Sequence, residues 1–292
     1  MRKGKKSPAA VGMDFGVLGK MKKSLFWEIA RAVANALLWA LTGIFSLVKT
    51  AVLSAFDFLW NAASKARAGM NKPNVKAEYA AFSEVKAIKG NAGELEKALY
   101  SSKSLIGIIL GGRGSGKTAL GLRMLENAKA RGRSVQALGF SEESLPPWMQ
   151  CVSTLEQVKN GAFLLVDEGG IVFSARSAFA SPNKLLSDLL LISRHKDLSV
   201  LFISQNSANL DVNALRQADY LLLKRPSLLQ KDFERKIIGK IYEENRRGFE
   251  GYAQMPGLFL AYSDEFLGFA QNGLPSFWSE KASKAFKNYP LK

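Results

Sequence analysis

One short stretch constrains this chain more than any other. An apolar run, Leu105 to Leu110, leads directly into Gly111-Gly112-Arg113-Gly114-Ser115-Gly116-Lys117-Thr118, and an amphipathic segment follows as far as Arg131. The eight residues fit the pattern G-x-x-x-x-G-K-[ST] between a strand and a helix, the setting in which such a loop cradles phosphates. Glycines let consecutive backbone N–H groups turn inward as an anion nest. The helix beginning near Lys117 aims the positive end of its dipole at the same point. Residues Gly111, Gly112, Arg113, Gly114, Ser115 and Gly116 are therefore expected to wrap a nucleotide's phosphates. Lys117 is placed to reach the β and γ phosphates, and the Thr118 hydroxyl to ligate Mg2+.

A phosphate loop at the end of a strand needs acidic partners on the same edge of a parallel sheet. Phe163-Leu164-Leu165-Val166-Asp167-Glu168 supplies them, an apolar strand ending in paired carboxylates. The ligand edge of a parallel sheet is the one where strands end. Asp167 is expected to hold Mg2+, directly or through water, and Glu168 to polarise the attacking water. A third strand, Val200 to Ser204, carries Gln205 at its tip. Its amide has both a donor and an acceptor, suited to orienting water or sensing the γ phosphate. Just before that strand stand Ser193-Arg194-His195-Lys196. Arg194 is the first candidate for an arginine acting on a neighbouring subunit's nucleotide, with Arg176 and Arg216 as further candidates. His195 reads as a loop residue, because phosphoryl transfer is driven by metal and positioning.

The surrounding pattern is consistent with that frame. Strands are expected at Leu105–Leu110, Ser134–Phe140, Phe163–Val166, Val200–Ser204, Tyr220–Leu223 and Leu258–Tyr262, and helices at Lys117–Arg131, Lys184–Ser193 and Leu229–Glu244. Val85–Tyr100 reads as helix or irregular lead-in. Strands alternating with helices predict an α/β fold with a mostly parallel sheet covered on both faces.

Upstream the texture differs. Residues 1–23 hold seven Lys or Arg against the single acid Asp14 and read as a basic flexible arm able to touch phosphate groups. Residues 24–63 form a long apolar segment whose longest uncharged run, Ala32 to Val48, is 17 residues. At helical pitch Leu37, Leu41, Ile44, Val48, Val52, Ala55 and Leu59 share one side. Arg31, Asn35, Thr42, Ser46, Lys49, Asp57, Asn61 and Ser64 gather on the other, with Trp39, Leu53 and Trp60 interrupting them. Three readings stand: a helix lying in a membrane interface or docking on a partner, a single membrane span, and packing onto the protein's own core. Residues 64–76 read as a linker, 77–265 as the nucleotide-hydrolysing domain, and 266–292 as a basic, aromatic C-terminal tail. The chain's net charge of +16 favours polyanionic partners, nucleic acid or anionic lipid. With one cysteine, Cys151, and one histidine, His195, neither a disulfide scaffold nor a His-rich zinc site is available.

The phosphate loop at Gly111–Thr118, the Asp167-Glu168 strand end, Arg194-His195 before a strand and Gln205 after it together resemble the FtsK–HerA superfamily of DNA-translocating ATPases. Leu215-Arg216-Gln217-Ala218-Asp219-Tyr220 extends the likeness, which runs from about Leu105 to Lys224. Within it the chain looks like viral genome-packaging ATPases and the Zot-like assembly proteins of filamentous phages. The resemblance implies a RecA-like P-loop NTPase core, ATP with Mg2+, and a ring oligomer, commonly a hexamer, that moves DNA through its pore. It implies location in the host cytoplasm in association with membrane or virion, residues 24–63 docking on a membrane surface or a capsid vertex protein. The alternative it leaves is a membrane-associated ATPase for phage assembly or extrusion that does not itself thread DNA. Two departures accompany it: no C-terminal winged-helix domain is evident, and the apolar segment precedes the ATPase domain, whereas in Zot-like proteins it usually follows.

Overall fold

The computed structural model describes most of residues 27–60, and residues 74–168 and 182–278 apart from 228 and 230–232. The basic arm, the linker as far as residue 73, Arg176 and residues 279–292 lie outside the described residues. The chain divides into two compact units, Met1–Arg67 and Ala68–Lys292.

In the first unit, a helix over Leu41–Trp60 is long and apolar enough to cross a membrane by length and composition. Its large apolar side chains are exposed, among them Leu41, Phe45, Val48, Val52, Leu59 and Trp60, as is Trp39 just before it. Thr42, Ser46, Thr50 and Ser54 turn their hydroxyls back onto helix carbonyls three or four residues earlier, at 2.8–2.9 Å. Those hydroxyls are thereby satisfied without water.

The second unit is built on a nine-stranded sheet: β1 (Ser83–Gly90), β2 (Ile106–Leu110), β3 (Val135–Leu138), β4 (Gln150–Val152), β5 (Phe163–Asp167), β6 (Ser199–Ile203), β7 (Tyr220–Leu223), β8 (Leu258–Ser263) and β9 (Phe266–Gln271). Their spatial order is β1-β9-β8-β7-β2-β6-β5-β3-β4. From β7 to β4 every pairing is parallel, and β8, β9 and β1 extend the sheet as an antiparallel wing beyond β7. This is the α/β, mostly parallel sheet expected.

Strand alternation sorts the core. Ile109, Phe163, Leu165, Leu201 and Ile203 face one side, where Leu95 and Leu99 of helix Ala92–Ser101 and Leu120, Met124 and Leu125 of helix Lys117–Ala130 cover them. Ile108, Leu164, Val166, Val200 and Phe202 face the other, against Leu186 and Leu189 of helix Pro182–Ser193 and Ile238, Ile241 and Tyr242 of helix Lys236–Glu244. Both faces are covered, so the parallel strands read as continuous apolar runs in the sequence. Glycine is required where Tyr220 lies across Gly107, because a Cβ there would fall 2.1 Å from the ring.

Three expectations need correction. Val85–Tyr100 is neither one helix nor a lead-in: β1 occupies Ser83–Gly90 and a helix capped by Asn91 follows at Ala92–Ser101. The helix expected over Leu229–Glu244 is interrupted at Glu234-Arg235, where the backbone N–H and Nε of Arg235 are held by Ser207, and resumes as Lys236–Glu244; residues 230–232 lie outside the described residues. Residues 266–292 are not simply a tail. A hairpin at Asp264-Glu265 returns the chain as β9 between β8 and β1, and Phe277 packs edge-to-face on Trp148 at 5.5 Å.

Lys224, the residue after β7, joins the parallel core to the wing. It is 1% exposed, and its ammonium donates to Gly257 O at 2.7 Å and Asn272 Oδ1 at 2.9 Å, beneath the face of Phe259. Burial pulls it from an ordinary value of 10.5 down to about 7. Between those two values the unfolded chain binds a proton that the folded chain does not, so stability rises with pH across that window, and the penalty is complete below about 7. Thermal melts at pH 7 and pH 9 should show a higher midpoint at pH 9. Lys224→Met should flatten that rise; an undiminished rise in the variant would assign it to other groups.

Candidate nucleotide site

The C-terminal ends of β2, β5 and β6 come together on one edge of the sheet. The phosphate loop sits at the end of β2, and its fold rests on close contact with β7. Gly111 has φ 145°, and a Cβ on it would lie 2.6 Å from Lys224 Cβ and 2.9 Å from Lys224 O. The N–H of Lys224 bonds Leu110 O at 2.8 Å and the N–H of Gly112 bonds Arg225 O at 3.0 Å, fastening both ends of that contact. Gly114 and Gly116 also adopt positive φ, 75° and 90°. Gly116 caps helix Lys117–Ala130 without any side-chain hydrogen bond. Arg113 is exposed, Thr118 half-buried, and the Ser115 hydroxyl is buried with no hydrogen-bond partner. An uncapped helix start beside an orphaned hydroxyl fits a phosphate, which accepts from both.

Lys117 is buried and folds back across the loop, its ammonium donating to Gly111 O at 2.7 Å and Gly112 O at 2.9 Å. Burial lowers its proton affinity, and the carboxylates of Asp167, Glu168 and Glu234 oppose that shift. The two carboxylates expected from the sequence therefore share an electrostatic neighbourhood with the loop lysine. A third carboxylate, Glu234, shares it too.

Asp167 and Glu168 end β5, both half-buried. β6 lies between β2 and β5, so the acidic strand stands two strand spacings, roughly 10 Å, from the loop strand. That gap leaves room for the end of a triphosphate, a metal and a water. Gln205 sits in the middle, two residues past β6 and exposed. Ser204 fixes it there, its N–H on Ile109 O at 3.0 Å and its hydroxyl on Asn206 O at 3.0 Å. No group of three or more His, Cys, Asp or Glu forms a cation cage among the described residues. Thr118 and Asp167, with phosphate oxygens of a bound nucleotide, are the residues that would hold Mg2+.

Arg194 and Arg216 are placed elsewhere. Arg194 follows helix Pro182–Ser193 and precedes β6; Arg216 ends helix Val212–Gln217 and precedes β7. Both are exposed on the edge where the parallel strands begin, a strand length of roughly 16 Å from the phosphate loop. Neither belongs to its own chain's site. His195 is exposed in the same turn as Arg194.

Glu234 escapes sequence reasoning. It accepts from the N–H of Ser207 at 2.8 Å and from the Ser207 hydroxyl. The neighbouring Arg235 adds its N–H to Ser207 Oγ at 2.9 Å, its Nε to Ser207 O at 3.0 Å, and a guanidinium contact to Leu210 O. The dipeptide clasps the loop that carries Gln205 and brings a carboxylate toward Lys117. No local pattern marks it, because its partner is 27 residues away.

No protein-family model matches the chain, and a search of curated proteins gives no match. Among solved structures, it is similar to the DNA-packaging ATPase B204 of Sulfolobus turreted icosahedral virus, at 16% identity over 58% of this chain and 97% of that one, with TM-score 0.39. It is similar to the pCW3 conjugation coupling protein TcpA at 12% identity over 63% of this chain and 65% of that one, TM-score 0.40. It is also similar to the N-terminal domain of zonular occludens toxin from Neisseria meningitidis, at 22% identity over 41% and 76%, TM-score 0.26. At these values the likeness carries no functional weight, which rests on the site's own residues.

Glu234→Gln should keep the shape of the clasp but remove its charge. Hydrogen bonds to a charged group contribute about 1.5–3 kcal/mol, so turnover of nucleoside triphosphate should fall roughly tenfold or more, with little change in KM. Ser207→Ala should fall with it. Normal turnover in both variants would reduce the clasp to a structural contact.

Proposed function

We propose that this chain is a Mg2+-dependent ATPase and that hydrolysis drives DNA translocation, packaging a viral or phage genome. The observation that carries the ATPase reading is the convergence of Lys117 with Asp167, Glu168 and Glu234 beneath a glycine loop shaped for phosphates. Loop N–H groups and Lys117 bind and orient the triphosphate, Lys117 exchanging two carbonyl partners for phosphate oxygens. Mg2+, held by Thr118 and Asp167, supplies positive charge to the phosphates when bound. Glu168 takes a proton from the attacking water, and Gln205 orients that water from the middle strand. The preference for ATP and the DNA substrate rest on the resemblance carried by Gly111–Thr118, Asp167-Glu168, Arg194-His195 and Gln205, together with the net charge of +16.

The placement of Arg194 supports a ring. An exposed arginine on the edge away from its own site cannot serve that site; on another copy its guanidinium would stabilise charge on the transferring phosphoryl group, an effect that reaches about 10³ to 10⁵ in rate. The test is a single hydrolysis series. Glu168→Gln should bind ATP without hydrolysing it, Lys117→Ala should bind it poorly, and DNA should raise wild-type turnover. Mixing Glu168→Gln with Arg194→Ala protein should restore part of the activity, since some interfaces then pair an intact Glu168 with an intact Arg194. Turnover indifferent to DNA would favour the assembly or extrusion reading; no rescue in mixed rings would remove Arg194 from the finger role.

Residues 24–63 anchor the motor. The support is the exposed apolar surface of Leu41–Trp60, whose hydroxyls bond within the helix and so enter an apolar phase at low cost. Deleting residues 1–63 should leave ATP hydrolysis intact and abolish co-sedimentation with anionic liposomes. A truncated protein that misfolds would place the segment in the core instead.

A further inference from the structure

Each of five adjacent parallel strands is preceded by an exposed basic residue: Arg216 before β7, Lys103 before β2, Arg194 before β6, Lys159 before β5 and Arg131 before β3. Because the strands are parallel, all five residues fall on the same edge, the one opposite the phosphate loop. Four strand spacings separate the first from the last, about 19 Å. Arg131 lies over the Tyr79 ring at 4.3 Å, and Lys103, Lys159, Arg194 and Arg216 have no ion pair among the described residues. The acids on this edge are Asp197 in the turn after Arg194, Asp219, held by the N–H of Ile106 at 2.7 Å, Glu156, and Asp264 and Glu265, exposed in the β8–β9 hairpin beside the start of β7. Lys196 and Arg133 add to the cations there. The phosphate-loop edge carries Glu142, Glu143, Asp167, Glu168 and Glu234 together with Arg113, Lys117, Arg225 and Arg235.

We infer that this basic edge is a docking surface for the phosphate backbone of DNA. A neighbour's triphosphate is a compact anion that one arginine can serve. A line of cations about 19 Å long matches an extended anion instead: one strand of B-form DNA presents a charge every 3.4 Å or so along the helix axis. The identity of the polyanion rests on the DNA-motor reading; its place on the molecule does not.

The test compares the full-length protein with its Lys103→Gln/Lys159→Gln variant, two positions outside the nucleotide machinery. Affinity for a labelled 30-base-pair duplex is measured across a salt series. Two lost phosphate contacts should lower the slope of log affinity against log salt by about 2 and weaken binding roughly tenfold or more at 0.1 M salt. Hydrolysis without DNA should be unchanged, and Lys103→Arg/Lys159→Arg should bind as the wild type does. If the wild type binds DNA and the Gln variant matches it in affinity and slope, the inference is overturned while the motor reading survives. If the wild type binds no DNA at all, the motor reading fails. Loss of self-association in the Gln variant, or lysine-dependent binding to anionic vesicles without DNA binding, would overturn the inference by making the edge a subunit contact or a lipid surface.

Discussion

The site depends on one close approach, that of Gly111 to the backbone of Lys224. With φ at 145° and a hypothetical Cβ only 2.6 Å from Lys224 Cβ, no other residue lets the phosphate loop lie flat against the end of β7. Two backbone hydrogen bonds then tie loop and strand together, Lys224 N–H to Leu110 O and Gly112 N–H to Arg225 O. The contact leaves the Lys224 side chain no route to solvent. It runs instead into the antiparallel wing, to Gly257 O and Asn272 Oδ1, and links the wing to the nucleotide loop through one residue. The chain leaving Arg225 then returns Glu234 to the same edge, where it clasps Ser207.

That economy explains how much of the fold is legible in the sequence. The strands buried on both faces show as apolar runs, and the phosphate loop and the Asp167-Glu168 pair show because their chemistry needs fixed local spacing. β1 does not show. Its sequence, SEVKAIKG, is exposed at nearly every position and is a strand only because its backbone pairs with β9. β4, three residues long, is an edge too short to carry a period. Glu234 is hidden for another reason: its role comes from a contact 27 residues away, and its segment reads as part of a longer helix. The strand at Phe266–Gln271 is obscured by the basic, aromatic composition of the residues after it.

The charges at the loop edge set a condition on the substrate. Lys117 is one buried cation in the electrostatic neighbourhood of three carboxylates, Asp167, Glu168 and Glu234. A triphosphate adds more negative charge to this cluster. Lys117 and loop N–H groups alone do not offset it, and Arg235 is committed to Ser207 and Leu210. A divalent cation carried with the phosphates would offset that charge, in keeping with the metal proposed at Thr118 and Asp167.

Parallel strands give a sheet two unlike edges, and this chain uses both. Strand ends gather the phosphate loop, Gln205, Asp167 and Glu168; strand beginnings gather exposed cations. Because the β-strands here are only four or five residues long, the edges stand roughly 16 Å apart. The separation is wide enough that an arginine before β6 cannot reach its own nucleotide, and narrow enough that helix Lys117–Ala130, starting at the phosphate loop, spans the sheet and ends beside Arg131. The core face of that helix, Leu120, Met124 and Leu125, is fully buried. β2 and this helix thus both join the phosphate-loop edge to the basic edge, one as a strand and one as a packed helix.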